Sequence, residues 1–168
     1  MSEKNFKVLF VCLGNICRSP LAEGIFTHLA RRRGVLERFD VDSCGIGAWH
    51  AGEGADARSV QVALRHGITL DHTARQLDPR SDFDRYHLLI AMDRANQRSL
   101  VQAAETYRRD AARVHMMRSF DPAIARDAKA PPDVPDPYSG ADEGFQKVYE
   151  MLLASCGGLL DRLLAERA

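Results

Sequence analysis

Nine residues near the start of the chain, C-L-G-N-I-C-R-S-P at 12–20, constrain the fold more than any other stretch. An apolar run, V-L-F-V at 8–11, leads into them, and a helical pattern of Leu21, Ile25 and Leu29 follows. Residues 6–11 read as a buried strand, in part β-branched and aromatic. Ser19, Pro20 and Glu23 mark a helix start, with the proline near its first turn. The chain must therefore pass from strand to helix through Gly14 and Asn15. Six successive N–H groups in that passage can wrap into a concave nest. The positive end of the helix points at the nest, and Arg18 adds a planar fork of donors. This predicts a pocket for a tetrahedral dianion with the sulfur of Cys12 at its base. The same positive field favours the thiolate, so one device supplies both binding site and nucleophile.

Other chemistries fit this stretch poorly. An ATPase phosphate loop needs Gly-Lys-Ser/Thr at a spacing that Gly14 does not offer. Cys12 and Cys17 could begin a zinc site, but Cys44 and Cys156 stand alone and no histidine pair accompanies them. A free cysteine is usually a small buried hydrophobe, and a Gly-x2-Cys-Arg-Ser sequence right after it argues against that for Cys12. No metal and no cofactor is expected.

A chain of 168 residues is one domain by size, spanning 1–168, with enough chain for a full core. Lys+Arg and Asp+Glu balance at 23 each, which gives no bulk reason to expect nucleic acid or a membrane surface. Arg31, Arg32 and Arg33 read as a solvated helix end. No segment approaches the roughly 20 apolar residues of a membrane span, and the N-terminal run is too short for a signal peptide. The expectation is a cytoplasmic protein, where a reducing compartment keeps the four cysteines free.

Further along, residues 39–43 read as a strand, and the glycine-rich stretch 45–54 as a loop carrying the one tryptophan, Trp49. Residues 56–66 read as a helix with Val60, Ala63 and Leu64 as its buried stripe. A short capped helix is expected at 81–84, strands at 88–92 and 114–117, and a helix at 93–107. The proline-rich stretch 122–140 reads as loop. A long final helix, 142–167, turns Phe145, Val148, Leu152, Leu159, Leu160 and Leu163 inward, with Gly157 and Gly158 weakening it locally. Strands alternating with helices imply a parallel sheet with right-handed crossovers. Ligands in such sheets bind at strand carboxyl ends, where Cys12 lies.

The loop, with D-P-Y far downstream at 136–138, resembles the low-molecular-weight protein tyrosine phosphatase family. The likeness runs through K-V-L-F-V-C-L-G-N-I-C-R-S-P-L-A-E (7–23), V-D-S (41–43), R-H-G-I (65–68), H-T-A-R-Q-L (72–77), A-M-D-R-A-N (91–96) and D-P-Y-S-G (136–140). It implies an α/β fold: a single domain with a four-stranded parallel sheet flanked by helices, a flavodoxin-like three-layer sandwich. It also implies hydrolysis of phosphotyrosine and aryl phosphate monoesters through a phosphocysteine. Cys12 would attack phosphorus, while Arg18 and the loop residues Leu13, Gly14, Asn15, Ile16 and Cys17 hold the phosphoryl oxygens. Asp136, between Pro135 and Pro137, would be the general acid. Ser19 would donate to the thiolate, Ser43 and His72 would brace Asn15, and Trp49 and Tyr138 would wall the cleft.

Relatives with other activities share this scaffold. Arsenate reductases of this fold carry further cysteines near the third strand, and residues 78–98 here have none. Arginine phosphatases carry threonine at the position of Ile16. A phosphate-binding module without turnover would not need Cys12, Arg18 and Asp136 together. The partners implied are phosphotyrosine-bearing proteins, with no nucleic acid and no membrane. The chain is expected to act as a monomer that self-associates at most weakly.

Overall fold

The computed structural model describes residues 5–124 and 128–167. Its first strand, β1 (Phe6–Cys12), lies between β2 (Phe39–Gly45) and β3 (Leu88–Ala91), and β4 (Val114–Met116) completes the order β2-β1-β3-β4. All three pairings are parallel, and Cys12 stands opposite Gly45 at the carboxyl end of the sheet. The chain leaves β1 for one neighbour, β2, and later returns to its other side with β3. The end of β1 is therefore the switch point where a parallel sheet opens a crevice.

Alternation explains why residues 8–11 are apolar without interruption. Val8 and Phe10 pack under α1 (Arg18–Arg32) and α5 (Asp142–Glu166), while Leu9 and Val11 face α3 (Asp82–Arg85) and α4 (Arg94–Thr106). A strand covered on both faces has no polar side to present. The result is the expected three-layer α/β sandwich with one four-stranded parallel sheet. Among the described residues, no helix is long and apolar enough to cross a membrane.

Element boundaries follow local chemistry. α1 ends where Gly34 adopts φ +67° and its N–H bonds the carbonyl of Arg31. Asp56 caps α2 (Ala57–Arg65) by accepting the Arg58 N–H, and Asp93 caps α4 by accepting the Asn96 N–H. Ser81 does not cap α3; its hydroxyl donates to Asp78 instead. Residues 122–140 contain no helix or strand among those described, and residues 125–127 of this stretch lie outside the described residues.

Besides the cap at Ser81, one expectation changes. The buried face of α2 is Ser59, Val62 and Ala63, whereas Val60 is half-buried and Leu64 exposed. Both readings satisfy a 3.6-residue period; the neighbours of α2 choose the face, and Ser59 is pulled inward because its hydroxyl donates to the carbonyl of Cys17. Gly157 and Gly158 do not interrupt α5. A Cβ on Gly158 would stand 1.9 Å from the carbonyl oxygen of Phe120, so the missing side chain admits a neighbouring backbone.

Candidate active site

The loop from Cys12 to Arg18 has its polar groups sorted by direction. Most of its carbonyls are engaged by neighbouring segments. Cys12 and Leu13 accept from the N–H groups of Ile46 and Gly47, Ile16 accepts from Asp56, and Cys17 accepts from Ser59. The Asn15 carbonyl contacts His72 Nε2 at 2.7 Å. By contrast, no backbone N–H of residues 13–17 finds an acceptor among the described residues. These N–H groups sit beside the first turn of α1, which carries no acidic residue and no side-chain cap. A positive helix end lined by free donors is a ready anion site.

Asn15 holds the loop in this shape. It adopts φ +59°, a left-handed conformation that asparagine tolerates better than most residues. Its buried side chain donates to Ser19 Oγ at 2.8 Å and Ser43 Oγ at 3.0 Å, and accepts the Arg75 N–H at 2.9 Å. Ser19 Oγ in turn lies 3.0 Å from Cys12 Sγ. Three segments thus converge on one amide, and the link through Ser19 ends on the sulfur.

Arg18, the first residue of α1, has only 2% of its side chain exposed. Its Nη1 donates to Asp93 Oδ2 at 2.6 Å and to the Val134 carbonyl at 3.0 Å. Its Nη2 lies 3.6 Å from Asp136 Oδ2. The loop bearing Asp136 is moored by the Val134 N–H to the Met92 carbonyl and by Asp133 accepting the Arg94 N–H. Asp136 Oδ1 accepts the N–H of Tyr138. Arg18 and Asp136 line a cleft of about 200 Å³ together with Cys12, Leu13, Gly14, Ile16 and Cys17 of the loop and with Trp49, His50 and Tyr138. Trp49 is 70% exposed and Tyr138 48%, so the rim is aromatic and open. The Trp49 ring lies directly over Gly47, where a Cβ would stand 1.7 Å from it.

A family model for low molecular weight phosphotyrosine protein phosphatase matches residues 7–168. The chain belongs to this family. The low molecular weight protein-tyrosine-phosphatase of Streptomyces coelicolor is 46% identical over 155 residues, covering 92% of each chain. The human low molecular weight phosphotyrosine protein phosphatase is 34% identical over 163 residues, 96% of this chain and 99% of its own. The crystal structure of a protein tyrosine phosphatase from Entamoeba histolytica, with Hepes in its active site, superposes with a TM-score of 0.87 at 33% identity, covering 98% of this chain and all of the other.

Within this phosphatase-family fold, all the residues singled out in the sequence lie in or directly behind one cleft. Cys12, Leu13, Gly14, Ile16, Cys17, Arg18, Trp49, Asp136 and Tyr138 line it, and Asn15, Ser19, Ser43 and His72 form the network behind. Sequence reasoning missed Asp93, which reads only as a helix start yet pairs with Arg18. It also missed His50, Arg75 and Glu23. His50 bonds Glu53 and faces Tyr138. Arg75 is spread across Asp42 and Asp82. Glu23 accepts from Ser43, and burial together with the nearby Asp42 raises its carboxyl to about 7. Burial, with Asp56 beside it, pushes the Cys17 thiol up to about 12. Burial likewise raises the thiols of Cys44 and Cys156.

Proposed function

We propose that the protein hydrolyses phosphotyrosine in protein substrates by two in-line displacements at Cys12. One observation carries this reading. A sulfur sits in a cleft whose loop N–H groups at 13–17 find no acceptor among the described residues, and whose lining also holds Arg18 and Asp136, 3.6 Å apart. The phosphoryl dianion seats against the N–H groups of residues 13–17 and the remaining donors of Arg18, whose orientation Asp93 fixes. Cys12 attacks phosphorus, and the bond to the phenolic oxygen breaks as Asp136 delivers its proton. The donors tighten on the equatorial oxygens as charge redistributes in the transition state. Asp136, now a carboxylate, takes a proton from water. That water attacks the phosphocysteine and releases phosphate, while the Ser19 hydroxyl stabilises the departing thiolate.

The aromatic rim of Trp49 and Tyr138 suits the ring of a phosphotyrosine. A complete cleft from one chain supports action as a monomer. Formal neutrality gives no bulk attraction to nucleic acid. Four free cysteines suit the cytoplasm.

The test is turnover of p-nitrophenyl phosphate and of a phosphotyrosine peptide by the wild type and by Cys12→Ser. The variant should lose all turnover while still binding inorganic phosphate, because the nest is backbone. Near-wild-type turnover in a folded Cys12→Ser protein would remove the covalent mechanism. Preference for a phosphoarginine peptide would reassign the substrate and leave the mechanism standing.

A further inference from the structure

Arg58 lies outside the cleft lining, yet it joins the two halves of the cleft. The first turn of α2 is bonded to the Cys12 loop: the Asp56 N–H donates to the Ile16 carbonyl at 2.8 Å and Ser59 Oγ to the Cys17 carbonyl at 3.2 Å. From that turn, Arg58 reaches the segment carrying Asp136. Its Nη2 donates to the Tyr138 carbonyl at 2.9 Å and its Nη1 to the Gly140 carbonyl at 3.1 Å. The guanidinium is itself held by Asp56, through Nε at 3.1 Å and Nη2 at 3.0 Å, and lies 4.4 Å over the Phe145 ring.

Chemistry of the Asp136 segment gives this grip its weight. Pro135 and Pro137 carry no N–H, so of residues 135–137 only Asp136 has a backbone donor. The Tyr138 N–H is spent on Asp136 itself. Upstream, Val134 moors the segment to Met92 and Arg18. Downstream, its carbonyls at 138 and 140 are held by the planar fork of Arg58, a geometry a lysine cannot reproduce.

We infer that Arg58 is a positioning residue that fixes the Asp136 carboxyl relative to the Cys12 loop. The inference rests on the reading of Asp136 as proton donor. A carboxyl displaced by about 1 Å loses much of its value as an acid, while the phosphate nest, held by Asn15 and by Asp56 and Ser59, stays in place.

The experiment measures kcat/KM for a series of aryl phosphates, from dinitrophenyl phosphate to phenyl phosphate, in wild type, Arg58→Lys, Arg58→Ala and Asp136→Asn. Phenol, with a pKa of about 10, needs a proton to leave; a strongly acidic phenol does not. Arg58→Lys and Arg58→Ala should lose roughly 10- to 100-fold on phenyl phosphate, with little change on dinitrophenyl phosphate or in inhibition by inorganic phosphate. Combined with Asp136→Asn, Arg58→Ala should add no further loss on phenyl phosphate. Equal losses across the series, or additive losses in the double variant, overturn the inference, and Arg58→Lys decides the matter if the alanine variant does not fold. If Asp136→Asn steepens the leaving-group dependence and Arg58→Lys does not, the inference alone falls. If Asp136→Asn leaves the dependence unchanged, the proton-donor reading falls too.

Discussion

Replacing Asp93 by asparagine should expose how Arg18 is kept in the core. The guanidinium is 2% exposed and its carboxylate partner 19%, at 2.6 Å. Asp93 uses one oxygen for Arg18 and the other to cap α4 through the Asn96 N–H at 2.7 Å. Asparagine has a single oxygen, so it can serve the cap or the arginine but not both. Its NH2 group cannot accept from a guanidinium. The loss is therefore one charge-assisted hydrogen bond, about 1.5–3 kcal/mol, below the 3–5 kcal/mol of removing a buried partner outright. At about 2–4 °C per kcal/mol for a domain of this size, Tm should fall by about 3–12 °C. A bound phosphate dianion brings negative charge back to Arg18. Ligand stabilisation should then be larger for the variant than for the wild type. Thermal melts followed by circular dichroism, with and without saturating inorganic phosphate, read both quantities. A Tm within about 1 °C of wild type, or a gap that phosphate does not narrow, would refute the idea that Asp93 balances the charge of Arg18.

Other perturbations follow from the same geometry. The Glu23 carboxyl, raised from 4.5 to about 7, keeps a proton in the folded state that the unfolded chain has lost, so stability should fall as pH rises across that window, by up to about 3 kcal/mol. Denaturant titrations at pH 5 and 8 should show this fall in the wild type and a flatter profile in Glu23→Gln; parallel profiles would count against it. Gly158→Ala should destabilise by about 1–3 kcal/mol or more, because its Cβ meets the Phe120 backbone, whereas Gly157→Ala, with open space, should gain up to about 1 kcal/mol. Melts that rank the two the other way would contradict the packing of α5. Cys17 should condense, through its thiolate, with a peroxide-generated sulfenic acid on Cys12 to give a disulfide and water; because burial pushes its thiol up to about 12, this capture should be slow at neutral pH and quicken as pH rises. Mass spectrometry showing Cys12 going directly to sulfinic acid, with no recovery under thiol, would exclude that protection.

The sequence by itself determined what is local. A strand, a turn and a helix start lie within nine consecutive residues, so the placement of Cys12 at a strand end and of Arg18 at a helix start is legible without a fold. The left-handed Asn15 and the glycine stop at Gly34 are equally local, because asparagine and glycine tolerate positive φ better than other residues. The parallel order of strands follows from alternation with helices, which leaves few topologies open.

Tertiary structure decided which groups answer one another. Arg18 finds Asp93 75 residues away and the carbonyl of Val134 116 residues away. Nothing in the helix-start pattern around Asp93 marks that role. Period alone left the inward face of α2 ambiguous, and packing selected Ser59, Val62 and Ala63 over Val60 and Leu64. A diglycine inside a helix reads as weakness, since glycine costs backbone entropy; only the approach of Phe120 reveals Gly158 as a close-packed contact. Arg58 reads as an ordinary helix-start residue until the loop at 136–140 folds over it. In each case the deciding partner is distant in the chain. Propensity and periodicity describe one segment at a time, whereas charge balance, carbonyl satisfaction and close approach exist only between segments once the sheet has brought them together.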